Sequence, residues 1–126
     1  MKILNEKTGK KEDVRLPKAF KKKWVAALRS GEFKQCEGSL EDYLPNSEEK
    51  IGHCCLGVAC RIVHPKMDLF QKGFADKGSF KSKLPNIKIP LLLKGDDENI
   101  VVKTLSEMND KGKSFKFIAA YIEKNL

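Results

Sequence analysis

The chain has 126 residues, of which 40% are apolar and 33% charged, and its formal net charge is +8. This length suits one compact domain with one core, and the composition excludes a wholly disordered chain. No apolar run reaches the ~20 residues of a membrane-spanning helix, and no signal-peptide block opens the chain. We therefore expect a cytoplasmic protein whose four cysteines stay reduced.

Positive charge is concentrated in two blocks of the sequence. Residues 1–34 carry a net charge of +7, and residues 71–94 carry +5. Two basic blocks in a mildly acidic remainder predict a positive face and an anionic partner. A lysine-rich surface that only confers solubility is the alternative.

The first half of the chain predicts a hairpin and two helices. The stretch MKILNEKTGKKEDVRL has two apolar ends around a Thr-Gly turn, which is typical of a short N-terminal hairpin. A helix should begin at Pro17 and end at Gly31, with a buried stripe that includes Trp24 and Leu28. Residues 54–64 are apolar on nearly every face, so they should form a central buried helix.

The second half predicts an insertion followed by two helices. Residues 71–96 should form an irregular basic loop that ends in an edge strand. One helix should end before Gly112, with Asn109 and Asp110 as turn residues, and the last helix should be capped by Ser114. The expected fold is α+β, predominantly helical, in a single domain over residues 1–126.

The stretch GHCCLGVACRIV, residues 52–63, contains three of the four cysteines. A metal site could draw on Cys36, Cys60 and His64, but a fourth ligand is not evident, so we expect no metal. Cys54 or Cys55 could instead act as the nucleophile of a cysteine hydrolase at a helix N-terminus. Neither histidine is well placed as the base, so we predict a packing role for the cysteines and keep the hydrolase as an alternative.

Several segments together resemble a known group of proteins. They are Trp24 with ALRSGEFKQCEGSL, then CCLGVAC at 54–60, and LSEMNDKGKSFKFIAAYIEKNL at 105–126. In this combination the chain resembles a family of small uncharacterised proteins encoded mainly by tailed bacteriophages and prophages. The resemblance implies a phage origin and a shared fold, and it implies no established activity or catalytic residues.

Three places could bind an anion. The stretch QKGFADKGSFKSK combines glycines, lysines and two phenylalanines, and NDKGKSF places lysines at a helix N-terminus. The third place is the outer face of the first helix, with Lys18, Lys21, Lys22 and Arg29. A solvated loop, a capped turn and a hydrated helix face are the respective alternatives. The predicted ligand-binding residues are Lys72, Phe74, Lys77, Phe80, Lys81, Lys83, Lys111, Lys113 and Ser114.

The hypothesis that follows is a non-enzymatic phage accessory protein for host interaction or anti-defence. It would bind an anionic, nucleotide-type signal without a cofactor, and a chain this small would enclose that ligand in a homo-oligomer. A protein–protein inhibitor of an acidic host protein and a nonspecific nucleic-acid binder are alternatives that use the same basic face.

Overall fold

The computed structural model describes residues 2–5, 9–13, 15–63, 65–66, 68–71 and 100–126. Within them the chain forms an α+β, predominantly helical domain, as the sequence predicts. The elements in chain order are β1 (Lys2–Asn5), β2 (Lys10–Asp13), α1 (Lys18–Ser30), β3 (Glu41–Tyr43), β4 (Ile51–His53), α2 (Cys55–Val63), α3 (Ile100–Asp110) and α4 (Phe115–Asn125). The predicted insertion at 71–96 lies outside the described residues except for Gln71.

The strands form two short antiparallel pairs. β1 pairs with β2, which confirms the predicted N-terminal hairpin, and β3 pairs with β4 with Glu41 opposite His53. Isolated parallel bridges place Gln35 beside His53 and Phe70 beside Glu41. The β3–β4 pair therefore connects the segment after α1 with the segment after α2.

α1 begins and ends where local signals place its boundaries. Pro17 precedes it, and Gly31 ends it in the left-handed region at φ 78°, where a residue without Cβ is not strained. Trp24, Val25 and Leu28 are buried on its inner face. α1 packs extensively against α4, so the first and last helices of the chain are neighbours.

α2 lies at the centre of the described fold. Every residue from Cys55 to Cys60 is buried, and α2 contacts both α1 and α3. A helix that is apolar on all faces needs neighbours on several sides, and this arrangement supplies them. The predicted central helix is confirmed.

α3 and α4 form a helical hairpin closed by a tight turn. Gly112 in this turn has φ 85°, and Ser114 is the N-cap of α4, with its hydroxyl accepting a hydrogen bond from the Phe117 N–H. The predicted cap is therefore confirmed. The assignment of Asn109 and Asp110 to the turn is wrong, because both belong to the last turn of α3.

Candidate functional site

The thiols of the GHCCLGVACRIV stretch are part of the core. Cys55 and Cys60 are fully buried, and Cys54 is 8% exposed. The Cys54 sulfur accepts a hydrogen bond from the Gly57 N–H at 3.3 Å, so it acts as the N-cap side chain of α2. The Cys55 thiol donates to the Leu105 carbonyl at 3.5 Å. All four cysteines are free and buried.

Burial keeps these thiols protonated. It raises the pKa of Cys54 to about 11 and the pKa of Cys36 and Cys60 to about 12. For Cys54, the backbone N–H groups at the start of α2 favour the thiolate, but desolvation outweighs them. A nucleophilic cysteine needs a lowered pKa, so the described geometry does not supply the thiolate of a cysteine hydrolase.

The space beside Cys54 is also too small for a substrate. A cavity of about 40 Å³ adjoins its side chain, whereas ligand pockets typically measure about 300–1,000 Å³. Such a cavity admits water molecules rather than a peptide or a nucleotide. Its lining consists of Gly38, Ser39, Leu40, Cys54, Leu56, Ser106 and Asp110.

His53 lies beside a carboxylate, and its contacts are structural rather than those of a base for a thiol. Its Nε2 lies 2.7 Å from Oε2 of Glu41, and the same oxygen accepts a hydrogen bond from Nη2 of Arg61 at 2.7 Å. The ring packs edge-on against Phe33 at 5.3 Å. Burial, together with the charge of Arg61, lowers the pKa of His53, and Glu41 opposes this shift. His53 therefore connects β4, β3 and α2 as a structural residue.

The weak metal alternative rests on three residues, of which His64 lies outside the described residues. Cys36 and Cys60 are both buried thiols with raised pKa values. Within the described ranges, His, Cys, Asp and Glu side chains do not form a group of three that could hold a metal ion.

A buried amide connects α1, the segment after it, α2 and α3. Asn109 is fully buried, and its Oδ1 accepts hydrogen bonds from the Cys55 N–H at 3.1 Å and from Nε2 of Gln35 at 3.0 Å. Its Nδ2 donates to the Cys36 carbonyl at 2.8 Å. Trp24 donates from Nε1 to the Cys55 carbonyl at 3.0 Å. We call these five residues the Asn109 junction.

The Asn109 junction joins segments that are distant in the sequence. Trp24 comes from α1, Gln35 from the SGEFKQ segment, Cys55 from CCLGV and Asn109 from the MND segment, and all of them meet there. These motifs therefore assemble the core rather than a reactive centre. Sequence reasoning did not identify Asn109 as a buried residue. Its position four residues after Leu105 places both on one helix face, and this spacing was the available signal.

The predicted anion site at the α3–α4 turn is partly engaged in helix capping. Ser114 Oγ accepts from the Phe117 N–H at 3.2 Å, and Lys111 is exposed. Nζ of Lys113 lies 5.0 Å from the centroid of the Phe117 ring, and Phe117 is 49% exposed. This is a cation–π pair on the surface. The other predicted ligand-binding residues lie outside the described residues: Lys72, Phe74, Lys77, Phe80, Lys81 and Lys83.

A concave basic surface lies on α1. A groove of about 490 Å³ runs along the side of α1 that adjoins Glu123 of α4, and we call it the α1 groove. It brings together all four cations that the sequence predicted on this face, with Val25 and Ala26 between them and Glu123 of α4 opposite. Nη1 of Arg29 donates to Oε2 of Glu123 at 2.7 Å. The lining residues are Lys18, Lys21, Lys22, Val25, Ala26, Arg29 and Glu123.

The comparisons with known proteins identify a family. A family model described as "Domain of unknown function (DUF8296)" matches residues 16–82, which is more than half of the chain and includes α1 and α2. The searches of curated proteins and of solved structures found no match. Among the described helices, none is long and apolar enough to cross a bilayer. The chain belongs to the family of domains of unknown function DUF8296.

Proposed function

We propose that this protein binds an anionic, nucleotide-type ligand without chemical conversion, and that the α1 groove contributes the binding surface. The observation that carries the proposal is the groove itself, where four cations surround a largely apolar concavity. A concave basic surface concentrates positive potential and attracts anions more strongly than scattered lysines do.

The composition of the α1 groove suits a ligand with an apolar part and a charged part. Val25, Ala26 and the methylene stems of the lysines offer apolar surface, and the ammonium and guanidinium groups can bind phosphate oxygens. Its volume of about 490 Å³ falls within the range of about 300–1,000 Å³ that is usual for small-molecule sites. A nucleobase with its phosphates fits this description.

The core chemistry supports binding rather than catalysis. The buried thiols have raised pKa values, and Nε2 of His53 lies 2.7 Å from the Glu41 carboxylate, which supports a structural role for both groups. Phage origin, a role in host takeover or anti-defence and action in the host cytoplasm are further parts of the proposal, and the sequence resemblance supports them. The predicted contributions of residues 72–83, of Lys111 and Lys113, and of a second subunit belong to the same proposal.

Calorimetric titration with linear and cyclic nucleotides at low salt tests the proposal. The informative variant reverses two groove charges, Lys18→Glu with Lys22→Glu. Both lysines are exposed, and substitutions at exposed positions usually change stability little, so the fold should persist. We expect the affinity to fall by about tenfold or more, because two favourable charge contacts become repulsive.

Lys23→Glu with Lys34→Glu is the matched control, because it changes the net charge by the same amount at two exposed lysines outside the groove lining. It should change the affinity far less than Lys18→Glu with Lys22→Glu does. Absence of heat with every nucleotide would remove the proposal. Binding of nucleic acid alone, with a steep loss of affinity as salt rises, would favour the nucleic-acid alternative. Capture of an acidic host protein by the wild type but not by Lys18→Glu with Lys22→Glu would favour the inhibitor alternative.

A further inference from the structure

Glu123 is the one carboxylate among the described residues that line the α1 groove. It comes from α4 and contacts Arg29 of α1 at 2.7 Å, across 94 positions of the sequence. Both side chains remain accessible, with 43% of Arg29 and 58% of Glu123 exposed. A ligand could therefore reach this ion pair from solvent.

Glu123 is ionised near neutral pH and is attracted to more than one groove cation. The hydrogen bond and the charge of Arg29 lower the pKa of Glu123, and the charge of Lys21 adds to this effect. The carboxylate thus presents negatively charged oxygen acceptors to Arg29, as a ligand phosphate would.

We infer that Glu123 is an internal competitor for the ligand in the α1 groove, and that an incoming anion must displace it from Arg29. An intramolecular partner has a high effective concentration, so it competes with a free anion even when the ion pair is weak. Because the ion pair is exposed and screened by solvent, displacing Glu123 from Arg29 costs little free energy. The groove therefore stays accessible to a multiply charged anion. The inference rests on the proposed function and concerns how that site sets its affinity.

The test titrates inorganic tripolyphosphate into the full-length protein at fixed pH and ionic strength. Glu123→Gln keeps the shape of the side chain and removes its charge. We expect tripolyphosphate to bind this variant about two- to fivefold more tightly than the wild type, which is the range that an exposed ion pair supports. Glu48→Gln removes the same charge from an exposed residue outside the groove lining and should leave the affinity unchanged.

A second background separates competition at Arg29 from a general change in electrostatic potential. In Arg29→Gln, whose three groove lysines remain, adding Glu123→Gln should improve binding much less, because the competing contact is already gone. Equal affinities of the wild type and Glu123→Gln would overturn the inference and leave the proposed function standing. The inference would also be overturned if Glu123→Gln increased the affinity for tripolyphosphate as much in Arg29→Gln as in the wild type. Failure of every nucleotide and of tripolyphosphate to bind would overturn the proposed function as well.

Discussion

The Asn109 junction predicts that one amide has a large effect on stability. In Asn109→Leu the side chain keeps a similar volume but can neither accept nor donate a hydrogen bond. The Cys55 N–H and the Cys36 carbonyl would then lose their contacts of 3.1 and 2.8 Å to this amide in a buried environment. The Gln35 side chain would keep one hydrogen bond, because its Nε2 also donates to the Lys113 carbonyl at 2.7 Å.

The size of the effect follows from the number of groups that are left without a partner. A buried donor or acceptor without a partner costs about 1–3 kcal/mol, so two such groups cost about 2–6 kcal/mol before relaxation. Since domains of this size are stable by about 5–15 kcal/mol, the variant should lose a large fraction of its free energy of unfolding. The added apolar surface of leucine offsets a minor part of this loss.

Urea denaturation followed by circular dichroism measures the difference in the free energy of unfolding. Asn125→Leu is the matched control, because Nδ2 of Asn125 donates to the Tyr121 carbonyl from a partly buried position at the end of α4. We expect this control to lose about 1 kcal/mol or less. Equal losses in the two variants would refute the assignment of Asn109 as a buried structural amide.

Two further predictions concern the same core. Gly57→Ala should lower the midpoint of urea denaturation more than Asn125→Leu does, because the new Cβ would come within 1.9 Å of the Leu40 carbonyl oxygen. An unchanged midpoint would contradict this close approach. The buried thiols should make the protein less stable as pH rises above 9: their folded pKa values of about 11 to 12 exceed the ordinary 9.0, so the unfolded chain loses its protons first. Between pH 9 and its folded pKa, each such thiol lowers the free energy of unfolding by up to about 1.4 kcal/mol per pH unit. Denaturation at pH 8, 9 and 10 measures this trend, and native protein at pH 8 should react with iodoacetamide far more slowly than urea-unfolded protein.

Local signals in the sequence were sufficient for the helices that have clear ends. Pro17 and Gly31 bracket α1, and Ser114 caps α4, because dihedral preferences and capping hydrogen bonds involve residues close together in the chain. The apolar composition of residues 54–64 was likewise enough to place α2 at the centre, since such a helix cannot face water.

The same local reasoning failed for Asn109. Asn-Asp before Lys-Gly is typical of a turn, but burial of the amide and its hydrogen bonds to Gln35, Cys36 and Cys55 extends α3 through both residues. These partners are distant in sequence, so no local propensity contains them. For the candidate site, helical spacing predicted the lysine-rich face of α1, whereas Glu123 was not predicted as part of it.

The sequence by itself determined the fold class, the boundaries of α1 and α4, the burial of α2 and the positive face of α1, because each depends on periodicity, capping or composition within a short stretch. Tertiary structure alone decided that Asn109 connects the motif segments, that Gly57 is needed beside Leu40, and that Glu123 faces Arg29. The physical reason is that these contacts arise from the way helices dock, and docking depends on the shapes of both partners at once.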